Sequence, residues 1–157
     1  MRKLTLEELE TNKETLLHIQ NVRALLSKII GALSGRAMDH DRSKLELLEV
    51  EVFTKYTPLL AKTTYGSDDY KKFLREMKEG ALDHHYGVNR HHPEHFDDGV
   101  DGMNLVDLVE MFCDWKAATL RHDDGDISKS IEHNKERFEL SDQLVRIFQN
   151  TVRDLGW

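Results

Sequence analysis

Residues 67–81 read S-D-D-Y-K-K-F-L-R-E-M-K-E-G-A, and this stretch decides the fold. Ser67 can cap a helix, and Asp68 and Asp69 suit the positive end of its first turn. Tyr70, Phe73, Leu74, Met77 and Ala81 then recur at the three- and four-residue spacing that puts side chains on one helical face. A strand would alternate every second residue, and this stretch does not. The same period runs through most of the 157 residues, with only two prolines and nine glycines to interrupt it. The expectation is an all-α fold of about six helices, a single domain over residues 1–157.

Towards the N-terminus, Thr5 and Glu8 form a capping box for a first helix expected to run to about Leu33. Val22, Leu25 and Ile29 make its core stripe, and His18 lies one turn earlier on the same face. Ser34-Gly35 should break the chain. Ser43 can cap a second helix with Glu46 as its partner in the box. Along that helix Leu45, Leu48, Val52, Tyr56 and Leu59 form a stripe that Asp41 continues backwards by one turn. A carboxylate on a buried face costs several kcal/mol (about 3–5) unless it is paired or ligates an ion. His40-Asp41 with Lys44 one turn on therefore reads as a site. This helix should end between Pro58 and Gly66.

Towards the C-terminus, the helix from Ser67 runs into H-H-Y-G-V-N-R-H-H-P-E-H, residues 84–95, which holds five of the nine histidines. Pro93, Gly87 and Asn89 favour a bend, with imidazoles on both sides of it. Imidazole is the commonest transition-metal ligand. Phe96 to Gly102 should be a turn. Met103 to Arg121 reads as a fourth helix whose wide apolar arc is Leu105, Leu108, Val109, Phe112 and Leu120. Its narrower face, Asp107, Glu110, Met111, Asp114 and Ala118, is acidic and soft, which fits a face turned to a site. Asp123 to Gly125 should turn the chain. Two further helices are expected, Ile127 to Phe138 with Ser128 as cap, and Asp142 to Leu155.

A net charge of −7 with no long basic run argues against a general nucleic-acid surface. An acidic chain that handles phosphate esters needs a metal or a local cation to offset its own field. No apolar run approaches the length that crosses a bilayer, and no signal-peptide pattern opens the chain. Cys113 is the lone cysteine, so no internal disulfide can form. A cytoplasmic protein is expected.

Taken together, His18, His40-Asp41, the histidines after the third helix and Asp114 follow one another on successive helices. That order resembles the HD-domain superfamily of metal-dependent phosphohydrolases. His40-Asp41-Arg42-Ser43-Lys44 is similar to the H-D-x-x-K form of its two-metal branches, and His91-His92-Pro93-Glu94 to the H-H-E step of the HD-GYP group. Asp114-Trp115-Lys116-Ala117 resembles the last HD aspartate, which a small apolar residue follows three positions later. His85 lies closer to His91-His92 than in that group, and no G-Y-P follows, so cyclic-dinucleotide hydrolysis is not expected. Nearly end to end, the chain also resembles an uncharacterised set of phage and bacterial proteins sharing H-Y-x-x-N-x-H-H-P-E-H and E-M-x-x-D-W-K-A.

The resemblance implies an HD-like domain around one or two divalent ions, Zn, Mn, Fe, Ni or Co, held by His18, His40, Asp41, His85, His92 and Asp114. His84 and His91 are the alternates, since sequence does not say which of each adjacent pair points inward. Two ions about 3.5–4 Å apart activate water and clamp a phosphoryl group. Lys44 would steady phosphate charge, with Arg90 and Arg121 as further substrate-binding cations. Glu94, Asp107 and Glu110 are candidates to orient the imidazoles or to move protons. The expected substrate is a small phosphate ester, a nucleotide foremost, with a homodimer as a possible assembly. Two alternatives stand beside this: an HD-type di-iron oxygenase, and a non-enzymatic phage-type helical protein whose metal only staples the fold.

Overall fold

The computed structural model describes residues 2–63, 67–121 and 125–157, and the expected turn at Asp123 lies partly outside them. Among the described residues there are seven α-helices and no strand. The chain divides after Met38 into two compact units. The first is almost entirely α1 (Leu6–Asp39). Its start is as expected: the Glu8 backbone N–H donates to Thr5 Oγ1 at 3.2 Å, and the Thr5 N–H donates back to the Glu8 carboxylate at 2.8 Å. Its end is not, because the helix runs straight through Ser34-Gly35. A helical glycine costs about 1 kcal/mol without forbidding the conformation, and Gly35 keeps a negative φ with open space around it. No residue of α1 is buried, so the stripe of Val22, Leu25 and Ile29 is exposed rather than core.

The second unit begins at Asp39, and His40-Asp41 and a short 3-10 turn, Arg42–Leu45, lead into α2 (Leu47–Leu60). Ser43 does not cap α2. It is buried within the 3-10 turn, and the residue before the helix is Glu46, whose side chain makes no cap bond. The buried face of α2 carries Glu49 and Tyr56, while Leu45, Leu48 and Leu59 face solvent. The helix is thus rotated by about one residue from the apolar stripe.

Beyond it comes α3 (Asp68–Met77), with Ser67 Oγ accepting from the Tyr70 N–H as expected. A π-helical turn, Lys78–Leu82, joins it to α4 (Asp83–Val88). Tyr56, Met77 and Leu82 form one apolar cluster with Phe53, Phe73, Leu74 and Tyr86 around them. Two more 3-10 turns, Pro93–His95 and Gly99–Gly102, carry the chain to α5 (Leu105–Thr119). Asn104 and Asp107 close a full capping box at its start.

A larger cluster joins Met111, Phe112 and Trp115 of α5 to α6 (Ile127–Arg137) and α7 (Asp142–Leu155) through Ile127, Ile131, Val145 and Phe148. The Phe112 and Phe148 rings stack at 4.6 Å. Asp126, not Ser128, caps α6. On α5 the apolar arc is again displaced: Leu105 and Leu120 are 72% and 73% exposed, and the inward face is Asp107, Glu110, Met111, Phe112 and Trp115. The acidic face turns in.

A candidate metal centre

The centre is assembled around His85. The π-helical turn adds a residue to the helix just before it, with Gly80 at φ +110, a conformation open to glycine and strained for other residues. The Glu49 carboxylate, fully buried, meets both histidines of α4: Oε1 lies 2.6 Å from His84 Nδ1 and Oε2 lies 3.0 Å from His85 Nδ1. Ser43 Oγ donates to the same Oε2 at 3.0 Å, and the Asn89 amide donates to Ser43 Oγ and to the His85 carbonyl. A carboxylate can only accept, so both Nδ1 atoms carry the protons. His85 Nε2 is left with its lone pair.

That lone pair points at a set of other donors. His85 Nε2 lies 3.0 Å from His92 Nε2 and 3.2 Å from Asp41 Oδ1, while His91 Nε2 lies 3.5 Å from the same Oδ1. Asp41 itself is a non-glycine residue in the left-handed region, at φ 58. Its Oδ1 is buried without a hydrogen-bond partner, as are both ring nitrogens of His91. Buried polar atoms left unpaired cost about 1–3 kcal/mol each. Asp41 Oδ1 and His91 Nε2, side by side in one cluster, fit a bound cation, which would take a lone pair from each, while His91 Nδ1 faces Glu110. Burial, reinforced by His91, His85 and Lys44, pushes the His92 imidazole down to about 2, so it sits there neutral, as a ligand must. Burial alone would raise the Asp41 carboxyl, but the neighbouring charges of Lys44 and His40 outweigh it and hold it well below the usual range.

A more open side adjoins this. His40 Nε2 lies 3.6 Å from both Asp41 Oδ2 and Asp114 Oδ1, and its Nδ1 lies 3.0 Å from Glu110 Oε1. Glu110 also lies 3.2 Å from His91 Nδ1. The Asp114 and Glu110 carboxylates draw the His40 imidazole up to about 10 against the cost of its burial. Among the described residues, three groups of donor atoms are close enough to hold an ion: Asp41, His85, His91 and His92; His40, His91 and Glu110; His40, Asp41 and Asp114. The expected residues His40, Asp41, His85, His92 and Asp114 are therefore brought together, and His91 joins them from among the alternates. Lys44 Nζ reaches Asp41 Oδ2 at 2.5 Å and lies over the Phe53 ring.

Other expected residues have other neighbours. His18 is exposed on α1 and belongs to none of the three groups. His84 is turned to Glu49. Arg90 makes a two-pronged pair with the buried Asp107 at 2.9 and 3.2 Å, and Asp107 also caps α5. Glu94 pairs with Arg137 of α6 at 2.6 Å. Arg121 is exposed just past the end of α5. The residues that sequence reasoning missed are Glu49, Ser43 and Asn89, the three that fix His85. Asn89 stood inside the histidine motif, but it read only as a turn former.

Fold and site together define an all-α protein with a buried histidine–carboxylate cluster able to hold a metal ion. The chain belongs to DUF5662, a family of unknown function whose profile matches residues 7–154. No curated protein and no solved structure is significantly similar to it. Among the described residues no helix is long and apolar enough to cross a membrane.

Proposed function

We propose that the protein is a metal-dependent phosphohydrolase acting on a small phosphate ester, a nucleotide foremost. The observation that carries this reading is the position of Asp41. Its carboxylate belongs both to the buried group with His85, His91 and His92 and to the half-open group with His40 and Asp114. One carboxylate offers two oxygens, so it suits a bridge between neighbouring cations. Imidazole and carboxylate donors without thiolate fit Zn, Mn, Fe, Ni or Co. Bound divalent ions would supply a Lewis acid that activates water near neutral pH and clamps a phosphoryl group.

The chain's own residues divide the remaining work. Glu49 holds His85 in one tautomer and one direction, and Glu110 braces His40 from its Nδ1 side. Lys44 stays 30% exposed beside Asp41, where an ammonium can steady a phosphoryl oxygen. Local positive charge of this kind is what a chain of net charge −7 needs to admit an anion. The test is a screen of nucleoside phosphates and generic phosphodiesters with Mn, Co, Ni, Zn, Mg and Fe each supplied. At least one substrate should turn over, Asp41→Asn should abolish that turnover, and Lys44→Ala should weaken it while leaving metal bound.

One observation favours a second reading, a metal that only staples the fold. Asp41, His85, His91 and His92 make four donors, and His85 and His91 are each only 1% exposed. Four protein donors around a buried ion are the mark of structural sites. Stoichiometric metal with no turnover anywhere in the screen would establish this reading over the hydrolase.

A further inference from the structure

α1 is 34 residues long, about 50 Å at the helical rise, and buries none of them. A helix of this kind draws most of its stability from packing an apolar face. Leu9, Leu16, Ile19, Leu26, Ile30 and Leu33 fall on one seam of alternating three- and four-residue steps, with Asn12 and Arg23 in the two remaining places. Leu16, Leu26 and Ile30 on that seam are 59%, 53% and 65% exposed. This is the repeat with which two helices interlock.

We infer that α1 is a dimerisation element and that its occupant is α1 of a second copy, running antiparallel. Charge fixes the direction. The first half of the helix carries Glu7, Glu8, Glu10 and Glu14 against Lys13, and the second half carries Arg23, Lys28 and Arg36 against Asp39. Parallel pairing sets like charge beside like, whereas antiparallel pairing sets the acidic half of each copy against the basic half of the other. The seam agrees with this. With the two-fold axis at residue 21, Leu9 meets Leu33 of the second copy and Leu16 meets Leu26, so apolar residues face each other at both ends. Asn12 then faces Ile30 and Ile19 faces Arg23, and each of these mixed layers occurs twice about the axis and pins the register. Glu8 comes beside Arg36 at the rim.

Sedimentation equilibrium of the full chain at tens of micromolar tests the assembly. Twice the monomer mass is expected, falling to the monomer mass in Leu26→Glu with its metal content unchanged. A monomeric wild type would overturn the inference, since α1 would then be covered by its own chain or by some other partner. A Leu26→Glu variant that stays dimeric would overturn it too. Orientation is read by disulfide trapping in a Cys113→Ser background, where no native thiol competes. Leu16→Cys mixed with Leu26→Cys should trap many times more dimer than either variant alone. Equal or stronger trapping in the single variants would overturn the antiparallel arrangement.

Discussion

Glu49 is the residue on which the centre turns. Each of its oxygens serves a different histidine, and neither is exposed to water. Glu49→Gln keeps the shape but replaces a charged acceptor with a neutral amide that can satisfy only one of the two imidazoles. His85 then loses its fixed tautomer, and metal affinity should fall about 10–100-fold, as it does when such outer partners of a ligand are removed. Calorimetric titration of the metal-free protein measures this directly; unchanged affinity would mean that Glu49 only fills space. His92 supplies a second test at this scale. Burial lowers its folded pKa from 6.5 to about 2, so the stability it contributes is present above pH 6.5 and is lost as pH falls from there towards 2. Metal-free protein should therefore lose stability on acidification below about pH 6.5, and His92→Gln should flatten that dependence in denaturant midpoints taken across the range. Why did Glu49 escape the sequence reading when His40, Asp41 and Asp114 did not? In L-L-E-V-E-V, residues 47–52, it reads as one of two glutamates on the wet side of an apolar stripe. Histidine announces ligand chemistry by its type, whereas a buried glutamate is visible only once its helix is oriented.

Some element boundaries followed local chemistry and others, at Ser34-Gly35, Ser43 and Ser128, did not, and helix orientations followed it least. The caps at Thr5 and Ser67 and the span of α7 rest on hydrogen bonds within a few residues, so they can be read from the sequence. The rotation of α2 and α5 depends on what they pack against. Both turn a carboxylate face inward because that face builds the centre, and there apolar periodicity points the wrong way. Glycine shows the same division. Gly35 and Gly80 look alike in the sequence, yet Gly35 sits in regular helix with open space around it and Gly80 holds φ +110 in the π-helical turn. Gly35→Ala should stabilise α1 by up to about 1 kcal/mol. Gly80→Ala should destabilise the second unit by about 1–3 kcal/mol and lower metal affinity, because the strained turn aims His84 and His85. Denaturant midpoints and metal content read both, and two shifts of the same sign would refute the distinction.

Across the second unit, two apolar clusters are joined by polar chemistry. Tyr56, Met77 and Leu82 anchor one, and Met111, Trp115 and Ile131 the other. Pairs spanning the elements between them are largely ionic: His40 with Glu110, Arg90 with Asp107, Glu94 with Arg137. Without a cation, the unpaired atoms of Asp41 and His91 sit at this junction. An ion held there ties residues 40–41 to the histidines of 85–92, and with Asp114 to α5. It should stabilise the native state as any ligand specific to it does, by roughly 4 kcal/mol at a thousandfold excess over its dissociation constant. Verified chelation should then lower the melting temperature by several degrees or more. Asp41→Asn, lacking the shared carboxylate, should melt near the chelated wild type and respond little to chelator. Ile131→Ala gives the contrast: it opens a cavity in the larger cluster, 0% exposed, and should cost about 2–5 kcal/mol while retaining its metal and its response to chelator. If chelation left the wild-type melt unchanged, the cluster would be bound by its own hydrogen bonds alone, and the unpaired atoms at its centre would need another partner.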